Sequence, residues 1–250
     1  METHRLYDIK EAARHLGVAP STLRYWEQEG LVRSGRNPAN DYRRYALHDL
    51  ITISEIAFYR RLGVPVKELR NYRTISLDEL DATLDRTQKE VEQRLAELKD
   101  MQVFLERQRA LNAQAVALQR AGMQPGTPVP QRLSAIDYDD PGLWLLLIDQ
   151  PWRYGVVIEA DEPNLVLESL TDLPPSEETR WERAPKSDRG LECLLRIDPD
   201  TDASNAPELF AHAAQHGMQP ERIVASYLLT AAESEGGLRW DYYRAWVLGA

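Results

Sequence analysis

A single cysteine, Cys193, stands among 250 residues. It excludes a disulfide framework within one chain and fits a reducing compartment. No apolar run approaches the roughly 20 residues that cross a bilayer, and the first residues have no signal-like segment. A cytoplasmic chain without a membrane partner is therefore expected. Basic charge is outnumbered: 30 Lys and Arg face 40 Asp and Glu, for a net charge of −10. Taken whole, that balance argues against nucleic acid as a partner. Residues 1–73, however, hold 13 basic against 9 acidic side chains, and the remainder 17 against 31. A basic head on an acidic body supplies the local field that phosphate binding needs. Enzyme signatures are missing too, with no Ser-His-Asp set, phosphate loop or paired-carboxylate motif. His212 and His216 lie i, i+4 apart without a third ligand, which describes surface residues rather than a metal site. No metal, cofactor or catalytic role is expected.

What is present begins at Tyr7. Asp8 and Glu11 form a capping box, Ile9, Ala12, Ala13 and Leu16 recur at helical spacing, and Gly17 stops the helix. Pro20 opens a second helix at a position where its missing amide hydrogen costs nothing. With Leu23 and Trp26 turned inward, Ser21, Arg24, Tyr25 and Gln28 face outward, with Thr22 beside Ser21. An arginine, an aromatic and hydrogen-bonding side chains on one helical face suit a DNA groove, because arginine bonds guanine edges in pairs. Asp41-Tyr42-Arg43-Arg44-Tyr45 then reads as a basic two-stranded wing.

Helix, turn, helix and wing in this order resemble the DNA-binding domain of the MerR family of bacterial transcription regulators. The resemblance covers about the first half of the chain. It implies that Ser21, Thr22, Arg24, Tyr25 and Gln28 enter a major groove, while Tyr42 and Arg43 grip the phosphate backbone with Arg36 and Arg44 nearby. Two positions depart from the family pattern. Ala19 replaces the usual Ser or Thr cap, at a cost of about 1 kcal/mol. Asp41, after Asn40, replaces the wing glycine, and both residue types tolerate positive φ.

A third helix is predicted from Leu47 to about Gly63 and a fourth from Pro65 to about Tyr72. A long helix follows over 77–121. Leu77, Leu84, Val91, Leu98 and Leu105 fall every seven residues, the period of a coiled-coil seam; the second seam position is apolar only at Leu80 and Met101. The resemblance implies that this helix pairs antiparallel with its copy and brings two heads to a palindromic promoter site in double-stranded DNA. It further implies activation by distorting that DNA, so that RNA polymerase engages both promoter elements.

The expected organisation is α+β. A winged helix-turn-helix occupies 1–75, a coiled-coil dimerisation helix 76–121, a linker 122–130, and an effector domain with an antiparallel sheet 131–250. In the last, strands are predicted at 143–148, 154–159, 191–197, 223–230 and 238–248, with one helix capped by Asn205 and ended by Gly217. The order of these elements and the final aromatic hairpin resemble GyrI-like effector domains, although the hairpin glutamate usual there is not visible. That resemblance implies a small hydrophobic effector. Trp144, Tyr154, Tyr227, Trp240, Tyr242 and Trp246 would supply aromatic walls for a flat, lipophilic cation, and Glu159 and Glu192 the counter-charge. Two other readings stay open: aromatic rings that are core in a structural or protein-docking module, and an enzyme domain fused to a DNA-binding head.

Overall fold

Asp8 ends the short strand β1 (Tyr7–Asp8) and caps α1 (Ile9–Leu16) in the computed structural model, which describes residues 5–38, 40–172, 179–184, 190–234 and 236–250. Its carboxylate accepts from the Lys10 and Glu11 amides at 2.8 and 2.9 Å, and Glu11 returns a bond from the Asp8 amide at 3.0 Å. Gly17 closes the helix at φ 65°, a left-handed conformation that glycine adopts without a Cβ penalty. α2 (Pro20–Gln28) starts on Ala19, which makes no side-chain cap, so an amide of its first turn lacks the usual partner. β2 (Gly35–Arg36) and β3 (Arg43–Tyr45) form the wing, and β3 also pairs with β1. Asp41 turns the wing at φ 55°, as its residue type allows.

α3 (Leu47–Arg61) completes the core of this head. Leu23, Trp26, Tyr45, Ile53 and Ile56 are buried together there. The predicted fourth helix is shorter than expected: only Val66–Leu69 is helical, and of the 3₁₀ type. The bonds that continue from it, Tyr72 N to Leu69 O and Thr74 N to Asn71 O, span three residues and keep the turn tight.

α4 runs unbroken over Leu77–Ala121. The chain divides into two compact units at Asp100/Met101, inside this helix. In the first unit Thr83 and Thr87 are buried, and Leu84 packs on the head core. In the second, Leu111, Ala115 and Leu118 pack on Leu194, Leu228 and Leu229 of the sheet.

Among the described residues, that sheet holds eight antiparallel strands in the order β4-β9-β11-β10-β6-β7-β5-β8. They are β4 (Gln124–Gly126), β5 (Arg132–Ala135), β6 (Tyr154–Glu159), β7 (Leu167–Thr171), β8 (Thr179–Glu182), β9 (Gly190–Ile197), β10 (Pro220–Ala232) and β11 (Arg239–Gly249). One face buries Val156, Ile158, Leu195, Ile223, Ala245 and Val247 under α6 (Ala206–Gln215). The other buries Leu133, Val157, Trp181, Val224 and Trp246.

Three further expectations, all after residue 121, are corrected. Residues 143–148 form α5 (Leu143–Asp149), not a strand. The linker 122–130 contributes β4, whose Gly126 lies so close to Glu192 that an added Cβ would sit 2.7 Å from the Glu192 Cβ. Asn205 precedes α6 without capping it. Its side chain instead accepts from the Arg196 amide and donates to the Leu194 carbonyl, bonding the stretch of β9 beyond its pairing with β4.

Candidate functional site

The outer face of α2 carries Ser21, Arg24, Tyr25 and Gln28, all exposed, with Thr22 half-buried beside them. Leu23 and Trp26, on the inner face, anchor the helix in the head core. Burying each contributes about 1.5–3 kcal/mol, so α2 is held rigidly enough to present a fixed pattern. Between α2 and the wing lies a cleft of about 570 Å³, lined by Lys10, Arg24, Tyr42, Arg43 and Arg44 among others. Tyr42 stands well clear of the protein surface, and the exposed Arg36 donates to the Asp41 carbonyl at 3.4 Å. Asp8 and Asp41 also line the cleft, where four basic side chains outnumber the two acids.

One member of the expected set is not free. Arg43 donates through Nε to Glu27, a residue of α2 that also accepts from the Ser34 hydroxyl. Arg43 therefore has an internal carboxylate partner at Nε. Burial alone would raise the Glu27 carboxyl. The bonds from Ser34 and Arg43 outweigh burial and hold it below the ordinary range.

Of the seam residues, Leu77, Val91, Leu98 and Leu105 are exposed along α4, as are Leu95 and Met101. Leu84 instead faces its own head and leaves that row.

The expected ligand residues divide between the two faces of the sheet. Trp246 is 0 % exposed and belongs to the core, so it cannot wall a pocket. Strand pairing sets Tyr227 opposite Tyr243, on the reverse face from Tyr242 and Trp246. Trp240 lies 5.0 Å beneath the Arg196 guanidinium. Glu192 is buried and paired with Arg244, while Glu159 pairs with Arg222 at 3.6 Å. The single aromatic wall with two free carboxylates is therefore corrected.

A different cluster forms on the α6 face. Tyr138 and Tyr154 both donate to Glu168, an exposed carboxylate on β7. Trp144 lies 6.3 Å from the Tyr138 ring, and Tyr243 lies 6.3 Å from Tyr154 and 5.7 Å from Tyr227. Burial and then the Glu168 carboxylate push the Tyr138 phenol up to about 12, and the same causes raise Tyr154 further. Both hydroxyls stay protonated and donating at neutral pH. Sequence reasoning reached Trp144, Tyr154 and Tyr227 but missed Glu168, Tyr138 and Tyr243, because strand pairing brings Glu168 and Tyr243 to Tyr154 and Tyr138 joins them from a turn.

Comparison with known proteins bears on the head. Residues 7–75 match the family described as MerR HTH family regulatory protein. The chain is 30 % identical over 109 residues to the HTH-type transcriptional regulator ZntR of Escherichia coli (strain K12), covering 41 % of this chain and 77 % of ZntR. It is 26 % identical over 116 residues to the Multidrug-efflux transporter 2 regulator of Bacillus subtilis (strain 168), covering 46 % of this chain and 42 % of that one. Among solved structures, the crystal structure of HiNmlR, a MerR family regulator lacking the sensor domain and bound to promoter DNA, is 28 % identical with a TM-score of 0.34. That match covers 46 % of this chain and 96 % of HiNmlR.

Proposed function

The chain belongs to the MerR family of DNA-binding transcription regulators, and from that premise we propose a homodimer that binds a palindromic promoter site and responds to a small effector. The observation that carries the DNA reading is the joint exposure of Arg24, Tyr25 and Gln28 beside the cationic cleft. Two such heads would take two half-sites, with α2 in each major groove and Arg36, Tyr42 and Arg44 on the flanking backbone. The exposed row Leu77, Val91, Leu98 and Leu105 supports pairing through α4, since apolar residues at seven-residue spacing bury best against a second helix. Activation would follow from bending and untwisting the site, so that RNA polymerase reaches both promoter elements.

Effector sensing would sit in the C-terminal unit. Glu168, bonded by Tyr138 and Tyr154 with Trp144 beside Tyr138, offers one negative charge next to aromatic surface, which suits a lipophilic cation. Such a ligand shifts a two-state equilibrium only by the difference of its affinities for the two states. A second reading, protein docking, is favoured by α5, where Trp144, Leu145 and Ile148 are all exposed. Mapping the DNA footprint with and without a panel of lipophilic cations tests both. A hypersensitive position that appears at the site's centre on adding one of them supports the sensor. An unchanged footprint across the panel removes the cation and leaves docking.

A further inference from the structure

Glu27 lies on the DNA-facing helix, between the inward Trp26 and the outward Gln28, yet its side chain is only 16 % exposed. It draws together three segments that are otherwise separate in the chain. The carboxylate belongs to α2, one hydroxyl comes from Ser34 before the wing, and the guanidinium of Arg43 comes from within the wing. The charge of Arg36 also acts on it. Arg43 is itself 29 % exposed, half-way between a core residue and a free surface cation.

The consequence follows from how proteins bind DNA without regard to sequence. That affinity comes from free Lys and Arg that displace counterions from phosphates, each adding about 0.9 to the slope of log affinity against log salt for duplex DNA. An arginine whose charge is offset by a half-buried carboxylate adds less, because the pair as a whole displaces fewer counterions. Specificity is the ratio of operator binding to this background.

We propose that Glu27 is a specificity-determining residue, whose carboxylate offsets the charge of Arg43 and so keeps sequence-independent DNA binding weak. The same bond fixes the wing against α2, so that Tyr42 and Arg44 meet the backbone in one orientation. The proposal rests on the reading of the head as a DNA binder.

The test uses the full chain and a labelled duplex of mixed sequence, titrated between about 50 and 200 mM salt. Glu27→Gln keeps the size and hydrogen bonding of the side chain and removes the charge. It is expected to steepen the salt slope by about one and to tighten mixed-sequence binding several-fold at the low-salt end. Adding Arg43→Gln to Glu27→Gln should return the slope to that of the wild type, because the released cation is then gone. A slope that stays the same or becomes shallower in Glu27→Gln, with the melting temperature unchanged, overturns the proposal. Weaker binding together with a lower melting temperature, in Glu27→Gln and Glu27→Ala alike, makes Glu27 a structural clamp only and overturns it as well. A wild-type protein that binds no duplex at any salt overturns the DNA-binding reading itself, which the slope comparison does not.

Discussion

Trp246 separates a core from a pocket wall, and its truncation has a magnitude that can be worked out. The side chain is 0 % exposed and lies among Leu133, Val157, Trp181, Val224 and Leu248. A buried tryptophan hides roughly 150–250 Å², worth about 4–6 kcal/mol at about 25 cal/mol per Å². Part of that area is already hidden in the unfolded chain, which trims the figure by roughly 10–40 %. The indole Nε1 is buried without a hydrogen-bond partner, a cost of about 1–3 kcal/mol that truncation relieves. Trp246→Ala should therefore destabilise the C-terminal unit by about 3 kcal/mol, the low end of the range for such changes. Urea unfolding followed by far-ultraviolet circular dichroism reads this as a lower midpoint at constant slope. Trp246→Phe removes the unpartnered nitrogen and should lose less than half as much. A loss below about 1 kcal/mol for Trp246→Ala would show that the ring fills no core and would refute the burial argument.

Three other outcomes are expected. Arg24→Ala should cost about 1–3 kcal/mol of specific binding with the fold intact, and an unchanged preference for the selected site in a gel-shift titration would remove Arg24 from the base-reading set. Val91→Asp with Leu98→Asp would place unpaired charges along the exposed apolar row of α4 and should give monomers; light scattering that still reports a dimer would place the interface elsewhere. Burial pushes the Cys193 thiol up to about 12, so it should resist a thiol reagent at neutral pH until the protein is denatured, whereas prompt labelling of the native chain would contradict its burial.

The head was legible in the sequence because its signals are local. Asp8 and Glu11 announce a capping box three residues apart, Gly17 and Pro20 punctuate the turn, and Asp41 takes the positive φ its residue type permits. The bounds of α4 were legible for the same reason. The clamp on Arg43 was not, since Glu27 and Arg43 stand 16 residues apart and meet only when the wing folds back. In the C-terminal unit, Leu143–Asp149 is a short apolar run, and periodicity cannot separate strand from helix at that length. Asp140 bonds the turn that enters this helix, accepting from the Gly142 amide through its side chain and from the Leu143 amide through its carbonyl. The Glu168 cluster depends on register: Glu168 pairs across from Val156, and Tyr154 from Leu170. Alternation along one strand gives its two faces but not which neighbour supplies the partner.

Selection of binding sites from a random duplex pool by the full-length protein tests the central claim, a paired DNA-binding head, most directly. The account predicts an enriched palindrome with two half-sites, lost when Val91 and Leu98 are both changed to Asp. An enriched single half-site without its mirror image, or a pool that emerges unchanged from repeated rounds, would contradict it.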